Sequence, residues 1–203
     1  MAIAINGTGT ITGISVGGLN DSIITSAELA NAAVTTAKIA DDAVTSAKAA
    51  LSFAVIADVK PADTNGGTFT SGAWRTRDLN TEIADADSIV SISSNQFTLI
   101  AGTYLIQYAA PAYAVSHHRA RLYDITNTVE IAQAVQGFAY PDPSLLGDYN
   151  TSIGSARVSI ASSTTYEIQH ICNTTASSNG FGLGTNMASS NCQYTTVTIL
   201  RLG

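Results

Sequence analysis

The sequence predicts a mainly β protein: an antiparallel sandwich over residues 51–203, preceded by about fifty residues of extended, repetitive chain. Three observations carry this. Gly, Ser, Thr, Ala, Val and Ile dominate while Glu, Lys and Leu are few, a composition that favours strands and turns over helices. From Ser52 onward, short runs with apolar residues at every second position recur between clusters of turn residues. Aromatic residues begin only at Phe53, so the material for a core lies in the C-terminal three quarters.

Taken in order, residues 1–20 alternate small, apolar and Gly residues. Ile3, Ile5, Ile11, Ile14 and Val16 form one or two short strands broken at Gly7, Gly9 and Gly13, apolar enough to need a partner surface. The segment reads as an attachment piece, with a frayed terminus as the alternative. Residues 21–50 hold a ten-residue repeat almost three copies long, TSAELANAAV, TTAKIADDAV, TSAKAA, that runs from Thr25 to Ala50, with Leu29, Val34, Ile39 and Val44 spaced five apart. Neither the helical nor the strand period fits, and its conformation stays open. Its few large aliphatics cannot offset the entropy of ordering thirty residues, so a single copy is a tether or one strand of a bundle with identical neighbours. Leu29, Val34, Ile39 and Val44 are the expected contacts between those copies.

Beyond Leu51, strands are predicted at 52–59, 72–77, 88–93, 96–100, 103–109, 118–124, 129–136, 152–160, 165–172 and 193–202. Turns fall at 61–67, 95, 101–102, 127, 141–147, 173–184 and 189–191. About ten short strands without a convincing helix argue for a two-sheet sandwich. The stretch DLNTEIADAD (78–87) reads as a solvated acidic loop. It starts like a calcium loop, but Ile83 stands where the turn needs Gly and Ile89 where a bidentate Glu would bind.

The residues also carry two resemblances. NQFTLIAGTYLIQY (95–108) resembles the central signature of tumour-necrosis-factor-like and complement globular-head jelly rolls, in which a strand ends in a Gly-x-Tyr turn that launches the next. FAVIADV (53–59) and YTTVTILRL (194–202) are similar to that family's adjacent first and last strands. The repeats AVTTAKIADDAVTSAKAA resemble those of bacteriophage tail-fibre proteins, and INGTGTITGISVGGL is similar to the N-terminal pieces of phage fibres. Together these imply an antiparallel jelly-roll head on an N-terminal anchor and repeat stalk, assembled as a homotrimer. The domains are then 1–20 for virion attachment through Ile3, Ile5, Ile11, Ile14 and Val16, 21–50 for the stalk, and 51–203 for the head. The implied protein is made in the host cytoplasm and sits in the virion. Its partners are other phage structural proteins of the tail, baseplate or capsid, and a host cell-surface glycan or protein. A head fibre or capsid decoration protein is the alternative, and a polysaccharide-cleaving fibre enzyme the third reading.

Composition sets further bounds. The formal net charge is −6 and the nine Lys and Arg are scattered, which argues against nucleic acid as a partner. No run reaches the ~20 apolar residues of a membrane span, and the N-terminus lacks the cationic start of a secretory signal, so neither membrane insertion nor export is expected. Cys172 and Cys192 have no metal-ligand spacing. They read as two free thiols or, if opposed in a hairpin, as a disulfide. No cofactor or metal is expected. Catalysis is not expected either: Gly13-Ile-Ser15-Val-Gly17 matches the nucleophile-elbow pattern but lacks the following helix. Binding is therefore expected at loop tips, where Trp74, Tyr113, His117, His118, Tyr140, Asp142, Tyr149 and Phe181 supply aromatic and polar groups suited to sugars. For the Tyr side chains the competing reading is a place at the core edge or on a trimer axis.

Overall fold

A computed structural model of the chain describes residues 52–141 and 148–202. The readings for residues 1–20 and 21–50, and for Asp142, lie outside them. The described residues form twelve strands: β1 (Ser52–Lys60), β2 (Arg75–Thr76), β3 (Thr81–Asp85), β4 (Val90–Ser93), β5 (Gln96–Leu99), β6 (Gly102–Tyr113), β7 (Ser116–Asp124), β8 (Val129–Gln133), β9 (Gly137–Ala139), β10 (Tyr149–Ile160), β11 (Thr164–Cys172) and β12 (Cys192–Arg201). One sheet runs β10-β6-β12-β1-β3; the other runs β4-β5-β11-β7-β8, with β2 added to β11 and β9 to β7. Every pairing is antiparallel.

The order of pairing defines the fold. β1 pairs with β12, β5 with β11, β6 with β10 and β7 with β8, so partners nest inward from the ends of the head, and successive pairs alternate between the sheets. That wrapping is a jelly roll. Alternation along each strand sends Ile56, Phe97, Leu99, Tyr104, Ile106, Tyr108, Leu122, Tyr166, Ile168, Val197 and Ile199 into one core between the sheets. The Gly-x-Tyr turn performs as its residues require: Gly102 starts β6, and the buried Tyr104 hydroxyl donates to the Ile100 carbonyl at 2.9 Å.

Register fixes which loops share an end. Ser52 lies opposite Arg201, and Lys60 opposite Cys192. Tyr104 pairs with Arg201 while Tyr113 pairs with Tyr149. The chain therefore enters the head at one end. The loops 61–74, 114–115, 134–136 and 173–191, with β9 and residues 140–141, gather at the other, which we call the crown.

Three expectations are corrected. The acidic stretch is not a loop: Thr81–Asp85 is the edge strand β3, and both Asp85 oxygens accept from backbone, at 2.9 Å each, from Ile89 and Val90. β6 runs four residues past its predicted end, through Pro111. A proline is tolerated there because the ladder to β12 stops at Ala109, leaving that side of β6 as an edge. β11 and β12, consecutive in sequence, lie in opposite sheets, so Cys172 and Cys192 are not hairpin neighbours. Both thiols are free; Cys172 is buried and donates to the Thr174 carbonyl at 3.3 Å, and Cys192 to that of Thr185 at 3.4 Å.

Candidate functional site

The crown is a second, smaller packing unit built from loops. Its core is Phe69, Ala112, Val115, Ala139, Cys172 and Phe181, separate from the main sandwich cluster. Backbone bonds lace loop 61–74 to loop 173–191: Gly66 donates to Gly182 at 2.8 Å, Gly67 to Ser178 at 3.1 Å, and Phe69 and Ala176 exchange bonds at 3.0 and 3.1 Å. Gly66 permits this approach, because a Cβ there would stand 2.8 Å from the Phe181 carbonyl carbon. Phe69 holds the centre, fully buried, its ring centroid 4.5 Å from Phe181 and 4.7 Å from His170.

Beneath these rings lies a buried polar layer. Arg77 is fully buried; its Nε donates to Thr195 Oγ1 at 2.7 Å, its Nη2 to the Phe181 carbonyl at 2.9 Å, and its guanidinium lies 4.1 Å from the Phe181 ring centroid. Burial lowers its pKa to about 10, still far above neutrality, so it remains a cation. His118 Nδ1 and His170 Nε2 face each other at 2.9 Å, so one of these two nitrogens must be unprotonated to accept. Burial and then the Arg77 charge push His118 down to about 4, with the nearby Asn150 side chain pulling the other way. The same two causes, with His118 third, hold His170 well below the ordinary histidine value. The pair is therefore neutral at pH 7 and ties β7 to β11 just below the crown.

These facts sort the expected binding residues. Tyr113 (7% exposed), His118 (2%) and Phe181 (8%) are buried rather than at exposed loop tips. Tyr113 closes β6 against Tyr149 of β10, His118 takes the core-facing side of β7, and Phe181 folds inward because the crown needs its own apolar filling. Tyr140 and Tyr149 are exposed, at 48% and 45%. His117 is exposed beside the Phe138 ring, 4.9 Å between centroids and nearly edge-on. Trp74 is half-buried on the outer face of the seven-stranded sheet, with the Arg121 guanidinium 4.0 Å from its ring centroid. Two concavities open here. One of about 490 Å³ is lined by His117, His118, Arg119, Gln136, Ile171 and Asn173. Another of about 300 Å³ lies among Tyr149, Leu183, Met187, Cys192 and Tyr194. Arg77, Arg119, Gln136 and Asn173 escaped sequence reasoning, since an isolated Arg or amide in a β-rich chain carries no local signal.

Fold and crown together define a class: a jelly-roll head whose loops build a mixed aromatic and polar surface at the end away from Ser52. No protein-family model matches the chain, and no curated protein sequence is similar to it. Some solved structures are similar to it. Mouse APRIL at pH 8.5 is 6% identical, over 75% of this chain and 99% of that one, with a TM-score of 0.46. At pH 5.0 the same protein gives 6% identity, the same coverage and a TM-score of 0.48. The globular domain of zebrafish complement 1qA protein is 14% identical, over 75% and 96% of the two chains, with a TM-score of 0.45. At these values the likeness carries no argument, and the assignment as a jelly roll rests on the strand pairing.

Proposed function

We propose that the chain is a non-enzymatic phage virion fibre protein that works as a homotrimer. Residues 1–20 attach it to the particle, 21–50 form the stalk, and the head presents its crown to the host cell surface. The observation that carries this reading is the outer face of the five-stranded sheet. Across β10, β6, β12 and β1 its rows are Ile153, Ala109 and Thr196; Ser155, Gln107, Thr198 and Val55; and Arg157, Leu105, Leu200 and Phe53. Arg157 is the single charge among them, while Ile153 and Phe53 are more than half exposed. A sheet face poor in charge and rich in Thr, Ser and aliphatics suits burial against identical copies. It also answers the stalk's need for company. With that face covered, the crown is left as the free end.

The test is adsorption. Purified full-length protein, added in excess to host cells, is expected to block attachment of the parent phage by occupying its receptors. Undiminished adsorption, with the labelled protein found on the capsid lattice, would instead make it a decoration protein. Release of reducing sugar from host polysaccharide would make it an enzyme.

A further inference from the structure

We propose that the 490 Å³ pocket beside the crown binds the carboxylate of an acidic sugar in a surface glycan. This rests on the reading above and names the ligand class for it. Strand alternation turns His118 inward and sends His117 and Arg119 to the outer face of the sheet. Arg119 stands opposite Ile171, and the Asn173 N–H donates to the His117 carbonyl at 3.0 Å, so β7 and β11 form one floor. Gln136 closes one side of the pocket.

Arg119 is the cation among the residues that line the pocket. Its Nε is buried and has no acceptor among the described residues, so no carboxylate there neutralises it. Arg121, two residues along the same face, shows the satisfied arrangement: Nε to Gln169 Oε1 at 2.7 Å and Nη1 to Glu130 Oε2 at 2.9 Å. Glu130 is already engaged by Arg121 and by Gln133, whose amide donates to it at 2.8 Å. A guanidinium without a protein carboxylate keeps its full charge, and a ligand carboxylate matches its planar fork with two oxygens. The rest of the wall fits a sugar. His117, Gln136 and Asn173 line it with polar groups suited to hydroxyls. Outside the lining, the exposed Phe138 ring packs against His117 at 4.9 Å and offers an apolar face for a neighbouring pyranose. A polyphosphate would need several clustered cations, and here the adjacent Arg121 is neutralised.

Calorimetry on the full-length protein tests this, using oligosaccharides of glucuronic, galacturonic and sialic acid, each with its carboxyl-reduced counterpart, and a polyglutamate peptide. At least one acidic glycan is expected to bind, and its reduced counterpart to bind about tenfold or more weakly. Arg119→Gln is expected to lose about tenfold or more for the acidic form while melting as the wild type does, because the pocket floor is left intact. Arg119→Lys, which keeps the charge but not the fork, is expected to lose affinity as well and serves if the Gln variant fails to fold. Equal binding of acidic and reduced forms, unchanged binding by both variants, preference for polyglutamate, or no binding to any acidic glycan would each overturn the proposal. Adsorption blocking run in parallel separates the two claims. Blocking without acidic-sugar binding defeats this inference and leaves the proposed function standing; sugar binding without blocking does the reverse.

Discussion

Phe69→Ala is expected to destabilise the head by about 3–5 kcal/mol and to loosen the crown first, because it empties a fully enclosed aromatic site. The ring contacts both Phe181 and His170, so its loss removes the stack on which the two long loops meet. The crown's apolar cluster is small and has no second aromatic layer to collapse into the void. Hydrogen exchange should show lost protection at Gly66, Gly67, Phe69 and Ala176, whose N–H groups lace the loops, while Ile106 and Ile168 in the sandwich stay protected. Urea unfolding gives the magnitude. A loss of less than about 1 kcal/mol would mean that the crown is not held from within.

Acid is expected to produce the second large effect. A histidine whose folded pKa lies below its unfolded value binds protons more readily when unfolded, so stability falls as pH falls between those values. For His118 the window runs from the ordinary 6.5 down to about 4. Its contribution is fully present above that window and, at about 1.4 kcal/mol per unit, amounts to about 3 kcal/mol lost across it. His170 shifts in the same direction and adds to the loss. Urea midpoints should therefore drop between pH 7 and pH 4.5, with both imidazoles still neutral by NMR in folded protein at pH 5.5. A flat profile, or two protonated rings in the native state, would contradict the neutral pair. The geometry agrees with that expectation, since facing nitrogens at 2.9 Å cannot both carry protons.

Much of this architecture was legible in the residues, and the exceptions have physical causes. Gln96–Leu99 and Gly102–Tyr113 stand out because one sheet face is buried and the other is not, which writes a period of two. Thr81–Asp85 did not stand out: as an edge strand with an exposed Glu82 and Ile83, it buries too little to impose a pattern. Alternation puts His117 and His118 on opposite faces of β7, but by itself it does not say which face is the core. Phe181 and Tyr113 sit in or beside loops, where aromatics suggest a binding tip. Here they are interior because loops this long need a core of their own. Arg77 and Arg119 were invisible for a different reason: their significance lies in partners, one set supplied by residues more than a hundred positions away and the other missing. Sequence distance hides such sites, and only the closed sandwich brings them together.

The mass of the full-length protein in solution tests the central claim most directly. Light scattering at micromolar concentration is expected to give three times the 20.9 kDa of one chain, with the charge-poor sheet face and the repeat both engaged between copies. A stable particle of a single chain's mass would leave that face without a partner and would contradict the account.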